Sequence, residues 1–116
     1  MGSRGTGRFG DYSPKRGETL CNKPLRGVAL EDVGQSQYFQ TNGNVPSIGI
    51  KVRIRDTVAN GRLVVELESG IDIVGNIPTK FNYLLACLKA GNSYSGEVSY
   101  SSQGPIPAVE VNLDAQ

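Results

Sequence analysis

Lys51, Arg53 and Arg55 occupy alternate positions of one segment, the spacing that puts three cations on one face of an extended strand. At a rise of ~3.4 Å per residue, these charges fall about 7 Å apart. That is close to the phosphate spacing of an extended single-stranded nucleic acid. Glu66, Glu68 and Asp72 follow on the returning segment. They admit two readings, as ion-pair partners for the cationic row or as oxygen ligands for a hard divalent cation. Interleaved arginines on a flat strand make a poor metal cage, so pairing is the expected role and no metal or other cofactor is assigned. Pairing also cancels the field a phosphate would feel. Gly75-Asn76-Ile77-Pro78 leads into a helix start, where free backbone N–H groups can hold an anion, and Lys80 adds a cation. Lys51, Arg53, Arg55, Gly75, Asn76 and Lys80 are therefore the candidate nucleic-acid contacts. The alternative for the turn is geometry alone, since glycine and proline shape a strand-to-helix connection. Tyr38, Phe39, Tyr94 and Tyr100 offer either a stacking platform for bases or core packing, and core packing is the expectation.

A second group of chemistry-bearing residues lies near the N-terminus. Arg8, Phe9, Asp11 and Tyr12 stand among glycines in a segment otherwise too polar to fold alone. The aromatics can supply burial and the charges can supply strong hydrogen bonds, so these four are the expected anchors for a protein partner. The alternative is a leader without a role. Charge is uneven overall: residues 1–26 carry six cations against two carboxylates, although the whole chain has a net charge of +1. The pattern is a basic tail on a mildly acidic body.

Other chemistry is disfavoured by what is missing. The chain has no histidine, which removes the commonest general base and the Ser–His and Cys–His pairs. Its two cysteines are too few for a four-ligand structural zinc site. Cys87 reads as a small buried hydrophobe, and Cys21 stands at the junction of tail and body. A disulfide between them is open, but no spacing pattern calls for one. No signal peptide or apolar run long enough for a membrane is visible, so the expectation is a non-enzymatic, cytoplasmic protein without membrane contact.

These residues must be positioned by a small set of elements. The 116 residues suit a tail over 1–19 and one domain over 20–116. A first strand spans residues 25–30, and a short helix is the weaker expectation over about 31–40. Ile48, Ile50, Val52 and Ile54 alternate with polar residues, which predicts a strand over 48–59 with the four apolar side chains inward. Asn60-Gly61 predicts a two-residue hairpin turn, because both positions tolerate positive φ. Carried straight back, that turn sets Ile54 opposite Leu67, Arg55 opposite Glu66 and Arg53 opposite Glu68. Gly70, in the left-handed region, is expected to make the next turn, with Leu67 facing Ile71 and Val65 facing Ile73. Phe81, Leu84, Leu85 and Leu88 form a helical stripe over about 79–90, with Thr79 as N-cap and Gly91 as the left-handed stop. Strands beginning at Tyr94 and Ala108 complete the pattern. The expected fold is mainly β (α+β): a small antiparallel, partly open β-barrel of five to six strands, with one firm helix.

Residues 70–98 resemble the closing half of HIRAN domains. The resemblance lies in Val74-Gly75-Asn76-Ile77-Pro78, in Leu84-Leu85-Ala86-Cys87-Leu88-Lys89-Ala90-Gly91, and in Tyr94-Ser95-Gly96-Glu97-Val98. It implies a small β-barrel that binds single-stranded DNA ends alongside a helicase or nuclease. Residues 56–64 form a plain hairpin where that family usually carries an Asn-x-x-Asp-x-Asn-Ala-Ile motif. The leading functional expectation is an accessory binding module whose body docks on a larger protein and whose tail inserts into it. The alternative is a HIRAN-like single-stranded nucleic-acid module.

Overall fold

The computed structural model describes residues 20–116. Six antiparallel strands run in the order β1-β6-β5-β2-β3-β4. They are β1 (Leu25–Ala29), β2 (Lys51–Ile54), β3 (Val64–Leu67), β4 (Ile73–Asn76), β5 (Tyr94–Ser102) and β6 (Ala108–Ala115). The sheet curls until its two edge strands meet. Glu31, just beyond β1, exchanges both backbone hydrogen bonds with Asn76 of β4, each 2.8 Å long. The result is the small, partly open barrel expected, and its core is mostly aliphatic, with Tyr94 its largest fully buried side chain: Val52, Val65, Val74, Val98, Val111 and Leu113 are all fully buried.

Between β1 and β2 the chain makes a 3₁₀ turn (Val33–Gln35) and helix α1 (Gln37–Asn42). Ser36 caps α1, its hydroxyl accepting from the Phe39 N–H at 3.2 Å. Gly43, at φ 70°, ends the helix in the left-handed region. The expected single helical stretch is thus two short pieces, divided by extended Ser36 (ψ 157°).

The firm helix is divided as well. A 3₁₀ turn (Thr79–Phe81) precedes α2 (Tyr83–Lys89). Thr79 is not the side-chain cap, because Pro78 sits at φ −57° and ψ 145° and its carbonyl takes the Phe81 N–H. Leu84, Cys87 and Leu88 are the buried stripe, with Phe81 and Leu85 partly buried beside it. Gly91, at φ 102°, stops the helix as expected, and Asn92 returns a backbone bond to the Cys87 carbonyl at 3.0 Å.

Three local readings need correction. β2 starts at Lys51, not Ile48, because Gly49 adopts φ 93° and Ile50 N closes a turn on Ser47 O. Ile48 and Ile50 consequently face solvent, 64% and 39% exposed. The Asn60-Gly61 hairpin forms as expected, with Ala59 and Arg62 exchanging bonds of 2.9 and 3.0 Å. Beyond it, however, Arg53 faces Glu66 and Ile54 faces Val65. Residues 56–58 bulge out of the ladder, moving the register by two residues. A two-residue move preserves the face of every side chain, so the charged-out, apolar-in pattern survives. At the next turn Gly70 is not among the glycines with positive φ, and Glu66, not Val65, pairs with Ile73.

Cys21 and Cys87 form a disulfide, with Cα atoms 5.5 Å apart. Cys87 is buried, but as half of a crosslink between the start of the described chain and α2. Burial raises the pKa of the Tyr94 phenol, with nearby Tyr83 adding to it, and its hydroxyl donates to the Cys21 carbonyl at 2.6 Å. The same corner is thus tied twice. Disulfides persist chiefly in oxidising surroundings, so this pair lends no support to the cytoplasmic expectation. Among the described residues, no helix is long and apolar enough to cross a membrane.

Candidate interaction surfaces

The cationic row runs along the outer face of β2 and onto Arg55 just beyond it, and each member is already engaged. Arg53 Nε donates to Glu66 Oε2 and Arg55 Nε donates to Glu66 Oε1, both at 2.7 Å. Lys51 Nζ donates to Glu97 Oε1 at 3.0 Å. The arginines then reach back to the β3–β4 turn: Arg53 to the carbonyls of Glu68 and Gly70, Arg55 to that of Ile71. Glu66 is only 5% exposed. Burial opposes its ionisation, but hydrogen bonds from Arg53 and Arg55, together with their charges, outweigh this and hold the carboxyl below its ordinary range. One carboxylate is therefore shared between two guanidiniums, which fixes the turn more than it offers charge to a ligand. Glu68 and Asp72 make no ion pair among the described residues.

Gly75 and Asn76 lie within β4 rather than in a phosphate-cradling turn. A Cβ at Gly75 would come within 2.9 Å of Leu30 Cβ and 3.2 Å of the Glu31 carbonyl. The glycine therefore permits the crossing of β1 over β4. Asn76 Nδ2 donates to Asp32 Oδ2 at 2.8 Å, holding Asp32 in the left-handed region at φ 58°. Both residues thus close the barrel. Lys80 stands apart, 5.3 Å from the centroid of the Phe81 ring, with no ion pair among the described residues.

Tyr94 is core at 1% exposure, whereas Tyr100 is 47% exposed, so they form no shared platform. The tail anchors Arg8, Phe9, Asp11 and Tyr12 lie outside the described residues.

Arg62 was not signalled by any motif. Its Nη2 donates to Glu31 Oε1 at 2.6 Å and to the Ile77 carbonyl at 2.9 Å, bracing the point where β1 meets β4. The partners lie 31 and 15 residues away in sequence, so no local pattern could announce it.

Several exposed apolar residues lie on segments that meet at one end of the barrel, while Leu20 and Val58, each 44% exposed, lie on other segments. Glu68 N bonds to Lys51 O, which brings the β3–β4 turn beside the start of β2. Gly49 N bonds to Val98 O, and Gln103 bonds to both Val45 N and Gly43 O, which brings the β5–β6 turn to the same end. That end carries Ile48, Ile71, Tyr100 and Ile106, exposed by 64, 70, 47 and 83%. Comparisons with protein families, with curated proteins and with solved structures find no match.

Proposed function

We propose that this chain is a non-catalytic accessory module whose barrel docks on a larger protein through its apolar end. The basic tail extends the contact through Arg8, Phe9, Asp11 and Tyr12. The observation that carries the reading is the exposure of Ile48, Ile71, Tyr100 and Ile106 on the segments at that end. Large apolar side chains scattered singly need no explanation, but several on one end of a small domain are typical of a contact surface. The cationic row supports the same reading in a negative way. A phosphate strand would have to displace Glu66 and Glu97 from cations they already hold.

The test places a photo-crosslinking side chain at Ile71, at Ile106 and, as a control, at Lys89 of the full chain. The expected outcome is one partner protein joined at Ile71 and Ile106 but not at Lys89. Capture is weakened by Tyr100→Asp and by the double change Phe9→Ala with Tyr12→Ala. Equal crosslinking at all three positions would sink the reading. Saturable binding of labelled single-stranded DNA that falls steeply with salt would replace it with the nucleic-acid alternative.

A further inference from the structure

The barrel has an open seam, and its cause is a single proline. Leu30 N donates to Val109 O at 2.9 Å, which makes 30 with 109, and by alternation 28 with 111, the hydrogen-bonded pairs of β1 and β6. The N–H and C=O of Ala29 and Glu31 then point away from β6. Those of Glu31 are taken by Asn76. The next such pair would be Ala29 with Pro78. Pro78 has no N–H to give, and its carbonyl already accepts from Phe81 N at 3.0 Å. The ladder stops there, and the chain turns away into the 3₁₀ turn. Between it and the free edge of β1 lies a groove of about 560 Å³, lined by Arg26, Gly27, Ala29, Thr79, Lys80 and Phe81 among others.

The charges in this groove are not equivalent. Glu31 at its closed end is held by Arg62, and Arg26 at its open end is held by Asp114 at 2.8 Å. Of the cations that line the groove, Lys80 on the far wall is the one with no carboxylate partner among the described residues. Residues 1–19 of the same chain carry four cations against two carboxylates, so Lys80 disfavours them as the occupant.

We propose that this seam is a docking site for an extended acidic peptide of another protein. The peptide adds as a strand to the free edge of β1, bonds the backbone of Ala29, and sets a carboxylate against Lys80. Strand addition draws affinity from main-chain bonds and selectivity from the side chains that flank them. Gly27 N already donates to Asn112 Oδ1 at 2.8 Å, so the free edge offers the N–H and C=O of Ala29 alone and the recognised element is short. This surface is separate from the apolar end and does not depend on it.

The probes are acetyl-Val-Thr-Glu-Val-Thr-amide, the same peptide with lysine in place of glutamate, and the glutamate peptide N-methylated along its bonding edge. Binding to the full-length, ¹⁵N-labelled chain is followed by amide shifts and hydrogen exchange. Expected is slowed exchange of the Ala29 amide with the glutamate peptide, and at least tenfold weaker binding of the lysine and N-methylated peptides. Ala29→Pro removes only the outward-facing N–H, leaving the bonds of 28 and 30 to β6, and abolishes binding. Lys80→Glu reverses the preference between the charged peptides. The proposal is overturned by equal binding of the two charged peptides, by native affinity in Ala29→Pro or for the N-methylated peptide, or by no binding at all. An Ala29 amide already protected in the free chain also overturns it, since the tail or a second copy would then fill the seam. If Ala29→Pro does not fold, the N-methylated peptide decides the same point from the other side.

Discussion

Glu66 sits on the outer face of β3 with a guanidinium on each carboxylate oxygen. Its two partners remain partly exposed, so removing it leaves cations that water can still reach. Glu66→Gln should therefore cost less than breaking a fully buried pair, about 1–3 kcal/mol at neutral pH. The pH dependence has a definite sign. The pKa is lowered on folding from an ordinary value of 4.5, so the carboxylate's contribution is complete above that value and drains away as pH falls through the folded pKa. Urea unfolding of the native chain and of Glu66→Gln should show a stability gap at pH 7 that narrows at pH 3. A gap of equal size at both pH values would mean that Glu66 acts by shape and not by charge.

At the scale of elements, the seam between β1 and β4 depends on close backbone approach. Gly75→Ala brings a methyl to 2.9 Å from Leu30 Cβ, beside a carbonyl that has little freedom to move. The expected cost is about 1–3 kcal/mol, concentrated at the Glu31–Asn76 pair. Amide exchange should accelerate at residues 31 and 76 while the β5–β6 ladder is unchanged; uniform acceleration would argue for general loosening. The elements also show which information is local. The Asn60-Gly61 turn was legible because positive φ at two adjacent positions is a demand few residues meet. Gly91 was legible as a helix stop for the same reason. The two-residue register move was not, because nothing in the sequence of residues 56–58 separates a bulge from a straight strand. The solvent exposure of Ile48 followed from Gly49, whose left-handed backbone interrupts an otherwise regular alternation. The row of charges lies on the expected face, since the register moves by an even number. Its exhaustion by Glu66 and Glu97 depended on side-chain geometry that alternation does not encode.

At the scale of the whole molecule, the chain is secured at two unrelated places. Arg62 braces the meeting of the sheet's edges, and the Cys21–Cys87 disulfide ties the entry to β1 onto α2 across a sequence separation of 66 residues. Sequence spacing could not reveal the second tie, because two cysteines define a bridge only once the fold brings them together. The tie acts chiefly on the unfolded chain. Closing a loop of 66 residues removes conformational freedom worth about 4 kcal/mol in the chain-entropy account, and native bridges in small domains typically contribute about 2–5 kcal/mol. For a domain of this size each kcal/mol moves the melting midpoint by about 4–8 °C, so the loss on reduction should be on the order of 8–40 °C. Thermal unfolding followed by near-ultraviolet circular dichroism of the tyrosines, with and without reductant, measures it directly. The Cys21→Ser, Cys87→Ser double variant should melt with the reduced protein and be indifferent to reductant. The buried Tyr94 reports the same corner, since its hydroxyl bonds to the Cys21 carbonyl and its near-ultraviolet signal should change at the midpoint of the melt. A midpoint unmoved by reductant, or two titratable thiols in the folded protein purified without reductant, would show that the bridge contributes nothing to holding the barrel together.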